Sequence, residues 1–313
     1  MNVKLYTLAI AALLAFVAMP VVAAPVEVTV DDRPVETTEV DESESQWEWG
    51  ASVGATYHSK YVTYGIAYNP QGVIVPAAEL TLSHDDYFTL AVGVEAYFDT
   101  TRFGAKDGGY NDRRWKYMEL DPYISLSRSW GLTEDVSLYT EVGYYYEYHP
   151  RSCHKPEMGY RYADAQYFTF EIGLEDNFLN PTMTLEYQVA GAHWGEGEPT
   201  GKGGLYATFE VSHSFDLSSW FGLEEESLLL TPTLGIATAD KDRNQLDLEL
   251  DDSWMFRDAF ARLELEYMPC ENLSITPYIA CHQQLDADAR DYVRENYTDD
   301  FIAYAGIGLF YEF

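Results

Sequence analysis

The stretch FIAYAGIGLFYEF, residues 301–313, alternates strictly between two kinds of side chain. One set is small, mixed and partly polar, and the other is apolar or aromatic throughout: Phe301, Ala303, Ala305, Ile307, Leu309, Tyr311 and Phe313. A period of two residues predicts a β-strand, because successive side chains of a strand point to opposite faces. A strand with such a stripe needs a partner on both edges, since an unpaired edge promotes aggregation. The stretch therefore favours a sheet that closes on itself.

The same alternation recurs along the chain in eleven further runs of about ten residues. These runs cover residues 47–57, 73–83, 87–99, 117–129, 135–148, 165–175, 182–194, 204–215, 227–239, 258–268 and 272–283. No segment between them has a helical period of useful length, apart from a short helical turn expected within 217–226. The sequence therefore predicts an all-β fold of about 12 strands.

The breaks between the runs also alternate in length. The breaks after the second, fourth and tenth runs are tight, whereas those after the odd-numbered runs are mostly long. Up-and-down strands place all odd loops at one end and all even turns at the other. With an even strand count, this layout is typical of a closed antiparallel up-and-down transmembrane β-barrel of the bacterial outer membrane. A run of about ten residues also matches a tilted membrane strand. A soluble secreted β-sandwich is the alternative.

Tryptophans lie near the ends of the runs, where a barrel would meet the two membrane surfaces. Indole rings favour that boundary, so we predict a membrane girdle on both sides. Its members are Trp47, Trp49 and Trp130 at the end with the turns, and Trp115, Trp194 and Trp254 at the end with the loops.

The first 46 residues differ in composition from the rest. Residues 1–24 combine Lys4, a short apolar core and small residues at Ala23 and Ala24, which predicts an N-terminal signal peptide cleaved after one of these alanines. Residues 25–46 are acidic and lack aromatic residues, so we expect a disordered leader. The β-barrel is predicted to occupy residues 47–313. The sequence leaves open whether the leader or a loop plugs the barrel.

The formal net charge of −33 makes nucleic acid an unsuitable partner, because phosphate binding needs a basic surface. Three cysteines, Cys153, Cys270 and Cys281, could form one disulfide at most, and the pairing is open. We expect no cofactor.

If the apolar face of each strand faces lipid, acidic residues line the lumen. We predict an ion or solute path lined by Glu95, Glu119, Asp121, Glu141, Glu171, Glu186, Glu210, Arg262, Glu264 and Glu266; Glu48, Glu79, Glu147 and Glu312 share that face. Such a lumen should attract cations and repel anions. The alternatives are a solvated polar interior and a bound Ca²⁺.

Most lysines and arginines lie in or beside the long loops, including Arg243 and Arg257. We predict a basic outer rim formed by Arg102, Arg113, Arg114, Lys116, Arg151 and Lys155. Such a rim would face lipopolysaccharide, whose phosphates favour Arg and Lys. The alternative is that these residues only keep the loops soluble.

A calcium site and a catalytic site each have partial support in the sequence. Residues 240–252, DKDRNQLDLELDD, partly match a calcium loop, although Gln245 replaces the glycine that its sharp turn needs. A catalytic site could use His58 with Ser59, His193 or His282, but neither GxSxG nor HExxH occurs. We therefore expect no enzyme and no catalytic residues.

Two short stretches resemble known families. Tyr311 and the terminal Phe313 resemble the C-terminal insertion signal that the barrel assembly machinery reads in bacterial outer-membrane β-barrel proteins. The stretch SKYVTYG resembles the start of proteobacterial outer-membrane barrels of unknown function, with Ser59, Tyr61 and Gly65 matching, although Tyr64 replaces an arginine common there. Twelve strands leave an interior wider than that of an eight-stranded barrel but narrower than that of a general porin, so we expect a porin-like channel for passive passage of small solutes that prefers cations. The alternative is a non-conducting scaffold whose loops bind lipopolysaccharide or a surface partner, and a barrel-embedded hydrolase comes third.

Overall fold

The computed structural model describes residues 47–84, 87–100, 116–133, 136–148, 165–176, 178–191, 203–251, 254–297 and 299–313. The predicted signal peptide (1–24) and leader (25–46) lie outside these residues. Of Lys116 only the backbone is described.

Twelve long strands form one antiparallel barrel. They are β1 (Glu48–His58), β4 (Val73–Ser83), β5 (Thr89–Asp99), β6 (Lys116–Gly131), β7 (Ser137–Glu147), β8 (Ala165–Glu175), β9 (Thr182–Gly191), β10 (Leu205–Ser212), β12 (Leu228–Ala239), β13 (Met255–Cys270), β14 (Leu273–Gln284) and β15 (Phe301–Glu312). Each strand pairs with its neighbours in chain order, and the circle closes where β1 pairs with β15, for example Tyr57 with Ile307. The predicted all-β, closed, up-and-down fold of about 12 strands is confirmed.

The described part of the chain has three further, short strands. Strands β2 (Tyr61–Thr63) and β3 (Ile66–Asn69) form a separate two-stranded hairpin between β1 and β4. Strand β11 (Phe215–Asp216) pairs with β12. Residues 213 and 214 separate it from β10, so the predicted run 204–215 is divided between these two strands.

The apolar face of the strands points outward. In β15, Ile307, Leu309 and Tyr311 are 47%, 51% and 42% exposed, whereas Ile302 and Gly308 on the other face are buried. A soluble sandwich would bury the apolar set in its core. The exposed apolar band therefore decides between the two folds: it faces lipid, and the sandwich alternative is wrong.

The inner face of β15 carries glycine where an aromatic ring of the neighbouring strand fills the space. Gly306 pairs directly with Tyr278 of β14, and a Cβ atom at Gly306 would overlap the Tyr278 ring. A larger residue at position 306 would have to displace that ring.

In the described part of the chain, three helices lie in the connections. Helix α1 (Ser218–Phe221) is the predicted helical turn, and α2 (Lys241–Leu248) and α3 (Ala287–Asn296) lie in two of the long loops. The expectation of no useful helix between the strands was wrong for α2 and α3, whose first turns are capped by the carboxylates of Asp240 and Asp286. Among the described residues, no helix is long and apolar enough to cross a bilayer.

The helix α2 also overturns the calcium hypothesis. The Asp240 carboxylate accepts a hydrogen bond from the Arg243 backbone N–H, and Asp251 pairs with Lys241 at 2.6 Å. The segment is therefore a capped helix instead of a calcium loop. In the described part of the chain, no group of three or more His, Cys, Asp or Glu residues could hold a metal ion. Cys270 and Cys281 are free, and Cys153 lies outside the described residues.

Candidate functional site

A cavity of about 870 Å³ occupies the barrel interior. Nine carboxylate side chains line it: Glu79, Glu95, Glu119, Asp121, Glu141, Glu147, Glu186, Glu264 and Glu266. The basic side chains among the described lining residues are His58, Lys60 and Arg262. Acidic side chains therefore outnumber basic ones in the described lining.

The structure places eight of the ten predicted path residues on this cavity, namely Glu95, Glu119, Asp121, Glu141, Glu186, Arg262, Glu264 and Glu266. Glu171 and Glu210 do not line it. Glu171 lies directly opposite Glu141 on β8 and accepts a hydrogen bond of 3.2 Å from the Thr184 hydroxyl. Glu210 lies on β10 opposite Thr182.

Two pairs of acidic residues lie directly opposite each other across neighbouring strands. They are Glu95 with Asp121 and Glu141 with Glu171. Like charges in such cross-strand pairs are destabilising. The barrel therefore brings two acidic pairs to adjacent positions on its inner face.

Tyrosine hydroxyl groups satisfy many of these carboxylates. Tyr123 donates to Glu79 at 2.7 Å, Tyr97 to Glu95 at 2.8 Å, and Tyr145 to Glu186 at 2.6 Å. The tyrosines were missed as site residues by sequence reasoning, although the 26 tyrosines of the chain were a signal. The lining is therefore built of carboxylates and aromatic rings together.

The hairpin formed by β2 and β3 enters the lumen from the end with the long loops. The Tyr61 hydroxyl donates to Glu119 of β6 at 3.0 Å, and the Tyr64 hydroxyl donates to Glu186 of β9 at 2.6 Å. Gln284 of β14 donates to the Gly65 carbonyl at 2.7 Å. These three contacts reach widely separated strands, so the hairpin crosses the lumen.

Burial is the main reason that the pKa values of the Tyr61 and Tyr64 hydroxyl groups lie well above their usual range. Both groups therefore stay protonated at neutral pH and act as donors to the carboxylates.

Each of the three residues in the SKYVTYG resemblance has a defined place. The Ser59 hydroxyl accepts a hydrogen bond of 2.9 Å from the Ala305 backbone N–H, which ties the start of the loop to β15. Tyr61 contacts Glu119, as described above. Gly65 has a positive φ of 71°, and a Cβ atom there would lie 2.5 Å from the Gln284 amide nitrogen and 2.7 Å from the Asp258 carboxyl carbon. Glycine is required at this position for both reasons.

Arg243 of α2 holds the hairpin from above, and it is almost fully buried. Its guanidinium lies 4.0 Å from the centre of the Tyr64 ring, in cation–π contact. The same group contacts Asp247 at 2.9 Å and Glu186 at 3.3 Å. Arg243 does lie in a long loop, as predicted, but it is buried there and adds nothing to an exposed basic rim.

A second buried network lies beside the first. Arg257 is fully buried and donates to Asp247 at 3.1 Å. Asp258 accepts hydrogen bonds from Tyr206 at 2.7 Å and contacts His282 Nδ1 at 2.8 Å, while His282 Nε2 lies 3.3 Å from the Tyr304 hydroxyl. Arg257 is thus also buried instead of solvated.

An apolar cluster anchors the hairpin to the helices. Ile66 of the hairpin is fully buried and packs in one cluster with Leu248 of α2, Met255 of β13, and Ala289 and Val293 of α3. Together with the two polar networks, this cluster makes the hairpin and the two helices a packed structure at the loop end of the barrel.

The predicted rim and girdle are described only in part. Arg102, Arg113, Arg114, Arg151 and Lys155 lie outside the described residues, as do Trp115, Trp194 and His193. Trp47, Trp49, Trp130 and Trp254 are all exposed near strand ends. Tyr311 and Phe313 are exposed at the end with the turns, and the Phe313 backbone N–H donates to the Ala51 carbonyl at 2.9 Å.

No family model matches the chain, and no curated protein matches its sequence. Similar solved structures include an outer membrane channel from Pseudomonas putida F1, with 11% identity, 88% of this chain and 100% of that chain covered, and a TM-score of 0.44. They also include the outer membrane channel DcaP of Acinetobacter baumannii, with 7% identity, coverage of 86% and 96%, and a TM-score of 0.36. A third is outer membrane phospholipase A from Escherichia coli, with 10% identity, coverage of 84% and 89%, and a TM-score of 0.38.

These TM-scores are below 0.5, so no activity or substrate is assigned to this chain from these proteins. What assigns the chain is its own architecture, a closed antiparallel barrel with an apolar outer band, exposed tryptophans at the strand ends and a polar interior. The chain is a β-barrel protein of the bacterial outer membrane.

Proposed function

We propose that this barrel is a porin-like channel for passive passage of small solutes and that it prefers cations. The observation that carries the proposal is the lining of the cavity, in which nine acidic and three basic side chains lie among the described residues. Fixed negative charge inside a narrow, low-dielectric wall concentrates cations and excludes anions.

The hairpin sets the size limit of the proposed path. It crosses the lumen between Glu119 and Glu186, and its carbonyl at Gly65 is held by Gln284. A barrel of this strand number is wider than the side-chain-filled eight-stranded kind but narrower than a general porin. With a hairpin inside it, the path admits single small solutes rather than a broad range of nutrients.

The second candidate function is a non-conducting scaffold whose long loops bind lipopolysaccharide or a surface partner. The tight packing of Ile66, Leu248 and Val293 at the loop end favours this alternative, because a closed mouth needs no path. The two candidates differ in a property that can be measured directly, namely ion conductance.

We also propose that the barrel is not an enzyme. His282 does contact Asp258, which is the arrangement that a catalytic pair would need. The partner on its other ring nitrogen, however, is the Tyr304 hydroxyl, and the partner of His58 is the Tyr278 hydroxyl. These contacts account for both histidines as hydrogen-bonded members of polar side-chain networks.

The test is the reversal potential of the purified, refolded protein in a planar bilayer with a KCl gradient. A stable conductance with K⁺ preferred over Cl⁻ supports the channel. No conductance from protein that is folded by circular dichroism rules the channel out and leaves the scaffold. A conductance without ion preference contradicts the role of the acidic lining, and the variant Glu141→Gln should in that case leave the reversal potential unchanged.

A further inference from the structure

One charged side chain lies on the lipid-facing side of the barrel wall. Arg128 of β6 is on the same face as Ile124 and Leu126, which are 45% and 46% exposed, and it pairs with Thr140 of β7, on the face of the exposed Val142. At the outward positions of the twelve long strands, as far as the structure describes them, no other Asp, Glu, Lys or Arg occurs. Arg128 is therefore the exception in an otherwise uncharged band.

Arg128 lies near the membrane surface at the end with the turns. Strand β6 ends at Gly131, three residues further on, and the tight turn to β7 follows. Because membrane strands are tilted by about 40°, three residues correspond to a depth of roughly 7–8 Å. Trp130, one of the predicted girdle residues, lies between Arg128 and the strand end. A long cationic side chain at this depth can reach the lipid headgroups.

Two neighbours hold the guanidinium of Arg128 in place. Its carbon atom lies 3.8 Å from the centre of the Trp130 ring, in cation–π contact. The Trp130 indole N–H donates to the Thr140 hydroxyl at 3.2 Å, and that hydroxyl donates to the Arg128 carbonyl at 3.2 Å. The indole N–H and the hydroxyl are thus already bonded, so the guanidinium is the free donor of this cluster.

The guanidinium of Arg128 has no acceptor among the described residues. Its Nε atom is buried without a hydrogen-bond partner, so a ligand cannot reach it. The terminal atoms Nη1 and Nη2 also make no hydrogen bond with a described residue, but they retain accessible surface. A ligand would therefore bind through these two nitrogen atoms.

Phosphate is the group that the lipid offers to such a donor. The two terminal nitrogens of a guanidinium match two oxygens of a phosphate, and such bidentate, charge-assisted pairs are strong. Acyl chains offer no acceptor. The surrounding outward positions add no competing carboxylate, since Arg128 is flanked there by Leu126, Trp130 and Thr140.

From this geometry we infer that Arg128, held against Trp130, binds the phosphate group of one phospholipid in the leaflet at the end with the turns. The site is on the outside of the barrel, so it does not depend on conduction through the lumen. It also differs from the predicted lipopolysaccharide contact, which concerns the opposite end of the barrel.

Native mass spectrometry tests the site, because it counts the lipids that remain bound. The full chain, refolded in micelles of a nonionic detergent, is titrated with phosphatidylglycerol. We expect one lipid to be retained, and Arg128→Gln to require roughly 10-fold more lipid for the same occupancy, as for the loss of a hydrogen bond between charged groups. Arg128→Lys keeps the charge but lacks the planar fork, so its affinity should be intermediate. The control is Arg294→Gln, which removes the same charge from an exposed residue of α3 and should leave binding unchanged.

Two further ligands identify the group that binds. Diacylglycerol has the same acyl chains without the phosphate and should not be retained, and inorganic phosphate at millimolar concentration should not displace the lipid. Retention of diacylglycerol, or displacement by inorganic phosphate, would overturn the inference. So would undiminished binding in Arg128→Gln, or an equal loss in Arg294→Gln. If Arg128→Gln does not fold, Arg128→Lys is compared with Arg294→Lys, and only the former should weaken binding.

Discussion

The Tyr64 hydroxyl donates a hydrogen bond of 2.6 Å to Glu186, a residue 122 positions away in the sequence. Tyr64 lies at the tip of the hairpin between β1 and β4, and Glu186 lies on β9, which is on the opposite side of the ring of strands. The contact therefore spans the lumen and fixes the hairpin across it.

Removing this hydroxyl should loosen the hairpin. In Tyr64→Phe the ring still stacks on Arg243, but the bond to the Glu186 carboxylate is lost, at a cost of about 1.5–3 kcal/mol. We expect amide hydrogen exchange in residues 61–69 to become roughly 10- to 100-fold faster. The matched control is Tyr87→Phe, which removes a hydroxyl from an exposed tyrosine in a turn. Unchanged exchange in Tyr64→Phe would mean that the bond does not hold the hairpin.

Substitution of two glycines separates two effects of an added side chain, namely steric overlap at the hairpin tip and backbone strain. Gly65 and Gly222 have similar positive φ values of 71° and 68°, but only Gly65 has atoms within 4 Å of where a Cβ would lie. Alanine should cost about 1 kcal/mol at either position from strain alone. We expect Gly65→Ala to lower the melting temperature clearly more than Gly222→Ala does, as followed by circular dichroism. Equal decreases would show that the hairpin tip has room to move.

The sequence predicts the barrel wall well, for a physical reason. The side chains of a membrane strand point to lipid and to the lumen in turn. Each run therefore has a period of two residues, as Ile307, Leu309 and Tyr311 illustrate. Strand pairing between chain neighbours then follows from the lengths of the breaks. Each of these signals is local, and local signals can be read from one sequence.

The loop end could not be predicted in the same way. Arg243 and Arg257 lie in a hydrophilic stretch that suggests a solvated loop, yet both are buried through contacts with distant residues such as Glu186 and Tyr206. Likewise, α2 has too few apolar residues to give a helical period, and α3 has only a short one formed by Ala289, Tyr292 and Val293. Both helices pack in one cluster with Ile66. Such contacts join residues far apart in the chain, so no local sequence pattern predicts them.

The two buried arginines should differ in their effect on stability. Arg243 bonds through two nitrogens to Asp247, Glu186 and Gln188. Replacing it by Met removes the charge that lies between the two carboxylates, although Glu186 keeps the tyrosine hydroxyl groups and Asp247 keeps Arg257 as donors. We expect a loss of about 3–5 kcal/mol in the free energy of unfolding, as for other broken buried ion pairs.

Arg257 should be easier to replace. Its Nε and Nη2 atoms have no hydrogen-bond partner among the described residues, so burial of this side chain is only partly compensated. We therefore expect Arg257→Met to cost less than Arg243→Met in denaturant unfolding of the protein in micelles. The reverse order would mean that the contacts of Arg257 with Asp247 and Asn244 dominate at the loop end.

One ion pair in the lumen permits a sensitive test of the acidic lining. Arg262 pairs with Glu264, and both line the cavity. Arg262→Gln makes the lining more negative by one charge, and Glu264→Gln makes it less negative by one charge, while both variants break the same pair. We expect the reversal potential in a KCl gradient to move toward the K⁺ equilibrium potential in Arg262→Gln and away from it in Glu264→Gln. Because the Arg262 side chain is 47% exposed, both shifts should be small and should shrink as the salt concentration rises. Shifts of the same sign would mean that loss of the pair changes the shape of the path, and that the charge of the lining does not select the ions.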